Sequence, residues 1–139
     1  MSVPTETSLN SDYNFLEMVF PDRANHYGTL YAGNALEILT RAAFATASIY
    51  TAKPVVMAEV LKVKFHSPVA VGTILEITAN ILNASRRSVT VGVSITNQNS
   101  ENAAPVITGQ FRMVAVDSAG QPTDVQKNLN MTCGKEICS

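Results

Sequence analysis

Along this chain the spacing of apolar positions changes once, and the change separates its elements. Ala32, Ala35, Leu36, Leu39, Ala42, Ala43, Ala47 and Tyr50 recur at three- and four-residue steps, which predicts one face of a helix. Lys53-Pro54 ends it, because the residue before a proline is held out of the helical region. The period then falls to two. Met57, Leu61, Val63 and Phe65 alternate with Ala58, Val60, Lys62 and Lys64. Leu75, Ile77, Ala79 and Ile81 alternate with Glu76, Thr78 and Asn80. Val89, Val91, Val93 and Ile95 alternate with Thr90, Gly92, Ser94 and Thr96, and Ile107, Phe111, Met113 and Ala115 with Thr108, Gln110 and Arg112. Each run predicts a strand with one apolar face. Ahead of the helix, Phe15 to Phe20 predicts a short strand, and "PDRANHYG" predicts a loop.

One strand, one long helix and four strands make an α+β domain. A helix of about 18–20 residues, roughly 27–30 Å, can lie along one face of an antiparallel sheet of about five strands that wraps it. Its small side chains allow close packing. An open sheet leaves two edges, and pairing two copies edge to edge covers them, so a homodimer is expected at least. The domain is expected over residues 1–122, with a polar N-terminal extension and a tail at 123–139.

Composition narrows the function classes. At 139 residues and 46% apolar, the chain can bury a core. Ten basic and eleven acidic residues leave a net charge of −1, without the clustered positive charge that nucleic-acid binding needs. No apolar run approaches the ~20 residues of a membrane helix, and the N-terminus has no apolar leader segment, so a cytoplasmic location is expected. Cys133 and Cys138 are the only cysteines, and without neighbouring histidines they make a poor metal site. Reduced thiols are the expectation there, and no metal is expected.

Candidate chemistry gathers between Ala24 and Phe44. The Asn25 side-chain amide either donates to a carbonyl oxygen or serves a turn. The helix opening at Ala32 and Gly33 has unsatisfied N–H groups and the positive end of the helix dipole, which favour an oxyanion. Such a donor is typically worth about 2.7–4 kcal/mol in a transition state. Glu37 and Arg41, four apart, are either a solvated pair or part of a site. His26 is a candidate base or ligand.

The segment "NHYGTLYAGNALEILTRAA" resembles the loop-and-helix motif of hotdog-fold acyl-CoA thioesterases of the bacterial short-chain and vertebrate cytosolic type. "VKFHSPVAVGTILEITANIL", "SRRSVTVGVSI" and "GQFRMVAVD" are similar to later segments of that family, so the resemblance spans about residues 14–122. It implies a hotdog fold and hydrolysis of an acyl-CoA to free acid and CoA, with no cofactor beyond the CoA of the substrate. It also implies a site between two subunits of a dimer, or of a tetramer or hexamer built from dimers. Asn25 matches the family's catalytic asparagine, and Gly33 the glycine whose N–H binds the thioester oxygen. Ser88, Arg86 and Arg87 are the candidates to hold CoA. Three positions depart from the pattern. Thr40 stands where the family carries a catalytic aspartate, Ala32 replaces the first glycine of a pair, and Leu61 replaces a polar residue. A threonine hydroxyl is a poor base near neutral pH. Glu37, one turn earlier, is one replacement, and Glu59, sharing strand parity with Leu61 and Phe65, is another. The third is water held by Thr40 and Asn25 without a strong base, giving weak activity. A non-catalytic acyl-CoA binding protein is the alternative.

Overall fold

The computed structural model describes residues 13–99 and 104–125. The polar N-terminus and the segment with Cys133 and Cys138 lie outside the described residues. The elements are β1 (Tyr13–Met18), a 3-10 turn (Pro21–Arg23), the helix α1 (Ala32–Thr51), β2 (Val55–Phe65), β3 (Ile74–Ala84), β4 (Ser88–Asn97) and β5 (Ile107–Ala115). The strands form one antiparallel sheet in the order β1-β3-β4-β5-β2. The helix crosses its inner face and touches all five strands.

The core lies between helix and sheet. Ala35, Leu39, Ala42, Ala43 and Ala47 are buried, as the spacing predicts, and Ile38 and Thr46 join them. Ala32 and Leu36 are exposed instead. Opposite lie Leu75, Ile77, Val91, Ile95, Phe111 and Met113, all fully buried. Alanine on the helix lets the backbone approach these branched and aromatic side chains closely. The helix stops where Ala52 turns left-handed at φ 56° and its N–H donates to the Ser48 carbonyl. The packed body continues past the expected boundary at 122, since Val125 is buried in the core and its N–H donates to the Arg86 carbonyl.

Strands β3, β4 and β5 keep the expected alternation, but β2 does not. Met57 pairs with Met113 and Glu59 with Arg112, so Ala58 is an extra residue; Val60 pairs with Phe111 and Lys62 with Gln110, so Leu61 is another. Each β-bulge reverses the faces of the residues that follow. Glu59 is therefore turned to the outer face, where it accepts from Arg112 Nε at 3.2 Å. The expectation that Glu59 points toward the helix is corrected by this shift of register. Leu61 likewise leaves the inward row and is 43% exposed.

β2 is also an uncovered edge, eleven residues long, with Val60 and Phe65 half exposed. Among the described residues no helix is long and apolar enough to cross a membrane. Nor does any cluster of three His, Cys, Asp or Glu side chains there have the arrangement to hold a metal ion.

Candidate active site

The loop between the 3-10 turn and α1 is a small hairpin folded on itself. Ala24 and Leu30 form an antiparallel bridge, Asn25 N–H donates to the Thr29 carbonyl at 2.8 Å, and Gly28 N–H donates to Asn25 at 3.0 Å. Gly28 has φ 80°, a conformation that glycine adopts without strain. The hairpin is pinned to the body through Leu30 N–H on the Val69 carbonyl and Val71 N–H on the Gly28 carbonyl.

Asn25 sits at the base of this hairpin, and its two amide atoms do different things. Its Oδ1 accepts from Tyr27 N–H at 2.9 Å, from Thr29 N–H at 3.2 Å and from Thr29 Oγ1 at 3.2 Å. Three donors on one oxygen fix which end of the amide is which. The Nδ2 group has no acceptor among the described residues, so it is the end presented outward. Of the two roles left open by the sequence, Oδ1 fills the turn role, and Nδ2 stays available as a donor.

The helix opening is tied to the same loop. The Arg23 carbonyl accepts from Tyr31 N–H at 2.9 Å and from Asn34 Nδ2 at 3.1 Å. Tyr31 is the N-cap and no side chain caps the helix, so the first-turn N–H groups stay open to a ligand. Gly33 lies beneath the Tyr31 ring, and a Cβ added at Gly33 would sit 2.5 Å from that ring. A larger residue at Gly33 would therefore push the exposed Tyr31 ring aside.

A cleft of about 320 Å³ is lined by the apolar Leu30, Ala35, Phe65, Pro68, Val69 and Ile107, with His66 and Ser67 as its polar members. It joins the first turn of α1 to the end of the uncovered β2 edge. Leu30 of the hairpin and Ala35 of the first helical turn reach this cleft, while Asn25 and Gly33 are not among its lining residues.

The structure does not bring the other candidates to that cleft. Thr40 is seven residues from Gly33, on the same helical face but about 10 Å along the axis. Its hydroxyl donates to the Glu37 carbonyl at 3.1 Å. Glu37 is exposed, and its carboxylate is held by Arg41 at 3.0 Å and Arg23 at 3.6 Å. His26 is exposed and stacks on Tyr27 with ring centroids 4.1 Å apart. Ser88, Arg86 and Arg87 occupy the opposite end of the sheet, since Ser88 opens β4 while the cleft lies where β4 ends. Both arginines pair there with Asp124, at 3.3 and 3.6 Å.

Sequence reasoning missed Thr29, which orients Asn25, although its place four residues on, past a glycine, was legible. It also missed Glu17. That residue pairs with the fully buried Leu75 and so shares its inner face, where it lines a narrow cleft with Arg23, Asn34 and Ile38.

Known proteins share this fold. The family model for the thioesterase superfamily matches residues 27–104. Protein VdlD of Helicobacter pylori is 30% identical over 112 residues, 79% of this chain and 64% of that protein, so the chain spans under two thirds of the length of the relatives it matches. Among solved structures, an acyl-CoA hydrolase of Staphylococcus aureus in complex with butyryl coenzyme A, coenzyme A and coenzyme A disulfide is 25% identical. It covers 91% of this chain and 82% of its own, with a TM-score of 0.76. Variants of that hydrolase replace with alanine an asparagine and an aspartate fifteen positions further along. A hexameric acyl-CoA thioesterase is 29% identical, over 82% of this chain and 74% of its own, with a TM-score of 0.77.

Proposed function

The chain belongs to the thioesterase superfamily, and on that premise we propose that it hydrolyses a fatty acyl-CoA to free acid and CoA at a site shared by two subunits, in the cytoplasm and without a metal or redox cofactor. The observation that carries this reading is Asn25 Nδ2, without an acceptor among the described residues and turned out by three donors on Oδ1, in the hairpin that leads into an uncapped helix opening; Leu30 and Ala35 of the same hairpin and helix line the apolar cleft. The acyl chain lies in the cleft. The thioester oxygen accepts from Asn25 Nδ2 and from the Gly33 N–H. Water adds to the polarised carbonyl carbon, and the same two donors stabilise the oxyanion that forms. Collapse of the tetrahedral intermediate breaks the C–S bond, giving the carboxylic acid and, with the proton lost by water, the thiol of CoA.

Thr40 is too far along its own helix to act on that carbonyl, so the group that handles the water comes from a second copy. Pairing along the exposed β2 edge supplies one. Two antiparallel β2 strands set the Phe65 end of one protomer against the Val55 end of its partner, which brings the mid-helix residues of the two chains toward one seam. The hexameric relative supports such assembly. The fifteen-residue interval in the Staphylococcus aureus hydrolase equals that between Asn25 and Thr40, which supports reading Thr40 as the replacement of an acid. Both arginine contacts of Glu37 count against its use as a base. Hydrolysis with Thr40 and Asn25 orienting the water is therefore slow compared with an acid-bearing site.

The test is release of CoA from a panel of acyl-CoAs, followed with a thiol reagent. Turnover of at least one chain length, lost in Asn25→Ala, is expected; equal rates for the two proteins across the panel refute the enzymatic reading. Thr40 itself favours a second reading, a non-catalytic acyl-CoA binding protein. Calorimetric binding with the thioester intact after long incubation would select it.

A further inference from the structure

The cations of this chain divide sharply. Among the described residues every arginine faces a carboxylate: Arg23 and Arg41 on Glu37, Arg86 and Arg87 on Asp124, Arg112 on Glu59. Lys53 donates to the Asp124 carbonyl. Among the described lysines and arginines, Lys62 and Lys64 are the two without an ion-pair or hydrogen-bond partner. They are two residues apart on β2 and, by their pairing with Gln110 and Thr108, both stand on the outer face of the sheet.

Their surroundings form a donor-rich hollow. The row Thr78, Ser94, Thr108 and Lys64 crosses four strands in register, and the row Asn80, Gly92, Gln110 and Lys62 lies beside it. Gly92, at the centre of the second row, makes room for the Leu82 side chain, which packs over it and forms an apolar part of the groove's floor. The groove so formed has a volume of about 530 Å³, and no Asp or Glu lines it. A lysine that only guards an edge strand against wrong pairing needs no such row of hydroxyls facing it. In a chain of net charge −1, a concave patch with two unpaired cations and no acid is built for an anion.

The occupant follows from continuity. His66 lines this groove and also the apolar cleft beside the helix opening. From His66 to Lys64 and Lys62 is about 7 and 13 Å along the strand. Edge-to-edge pairing through β2 uses backbone groups and leaves this outward row uncovered. Arg86 and Arg87, in contrast, are already held by Asp124 at the far end of the protomer.

We propose that Lys62 and Lys64 hold the phosphate groups of the acyl-CoA on the outer face of the sheet, with the pantetheine arm passing His66 between that groove and the acyl cleft. The inference rests on the acyl-CoA reading above. Its test compares the wild-type protein with a Lys62→Gln/Lys64→Gln variant in acyl-CoA hydrolysis, in calorimetric binding of CoA, and in inhibition by inorganic pyrophosphate. Loss of two charge-assisted contacts should raise KM and the CoA Kd roughly tenfold or more, with kcat within about twofold. Pyrophosphate should compete with acyl-CoA in the wild type and much less in the variant. Unchanged KM and Kd overturn the proposal while leaving the thioesterase reading intact. A wild type that binds CoA but cleaves no thioester removes the enzymatic reading, and the Kd comparison still decides the lysines. A wild type that binds no CoA overturns both.

Discussion

Replacing Asn25 with aspartate separates what its two amide ends do. Oδ1 accepts three hydrogen bonds of 2.9–3.2 Å that hold the hairpin, and an aspartate oxygen in the same place accepts all three. Stability should therefore change by less than about 1 kcal/mol, because charged acceptors form stronger bonds but are costlier to desolvate. Asn25→Ala, by contrast, strips acceptors from two N–H groups and one hydroxyl in a half-buried loop, at about 1–3 kcal/mol. The chemical cost of Asn25→Asp is of another order. It removes a donor worth about 2.7–4 kcal/mol to the oxyanion, a rate loss of roughly 10² to 10³. A carboxylate facing the oxyanion adds a repulsion of up to about 4 kcal/mol at 4 Å near a protein surface. Urea denaturation and thiol release from an acyl-CoA, run on the wild type and both variants, give the two axes. A stable but inactive aspartate variant is the expected outcome. Retention of activity within about threefold would refute the donor role, and destabilisation equal to that of Asn25→Ala would refute the hydrogen-bonding pattern itself.

Three further outcomes are expected. Thr40→Asp should raise the hydrolysis rate by about 10² to 10⁴ and cost only a few tenths of a kcal/mol from the like charge of Glu37 one turn earlier; a folded, CoA-binding variant with no gain would mean that the remainder of the site is not assembled. Leu61→Glu with Phe65→Glu should convert the assembly to monomers in sedimentation and abolish turnover together with it, whereas an unchanged oligomer would place the interface elsewhere. Gly109→Ala should lower stability by about 1–3 kcal/mol in urea, since its Cβ would come within 2.8 Å of the fully buried Phe111 ring; a neutral result would show that the ring yields freely.

Periodicity by itself determined most of the architecture. The helical stripe and the alternation in β3, β4 and β5 report which side of each element is dry, and that depends on residue spacing alone. The turn-rich segment ahead of the helix marked Asn25 and Gly33 as candidates, and only the family resemblance gave them roles. Tertiary structure decided the rest, since each remaining feature depends on a partner distant in sequence. The bulges at Ala58 and Leu61 exist only relative to β5, and they turn Glu59 out to Arg112 and line up Lys62 and Lys64 across from Gln110 and Thr108. Asp124 claims Arg86 and Arg87 from 37 or more residues away, and Arg23 reaches Glu37 only because the loop folds back on the helix. Even the Asn25 amide took its direction from Tyr27 and Thr29, through hairpin closure that spacing does not encode. Spacing fixes which way a side chain faces within its own element; what it meets there is set by register and packing between elements.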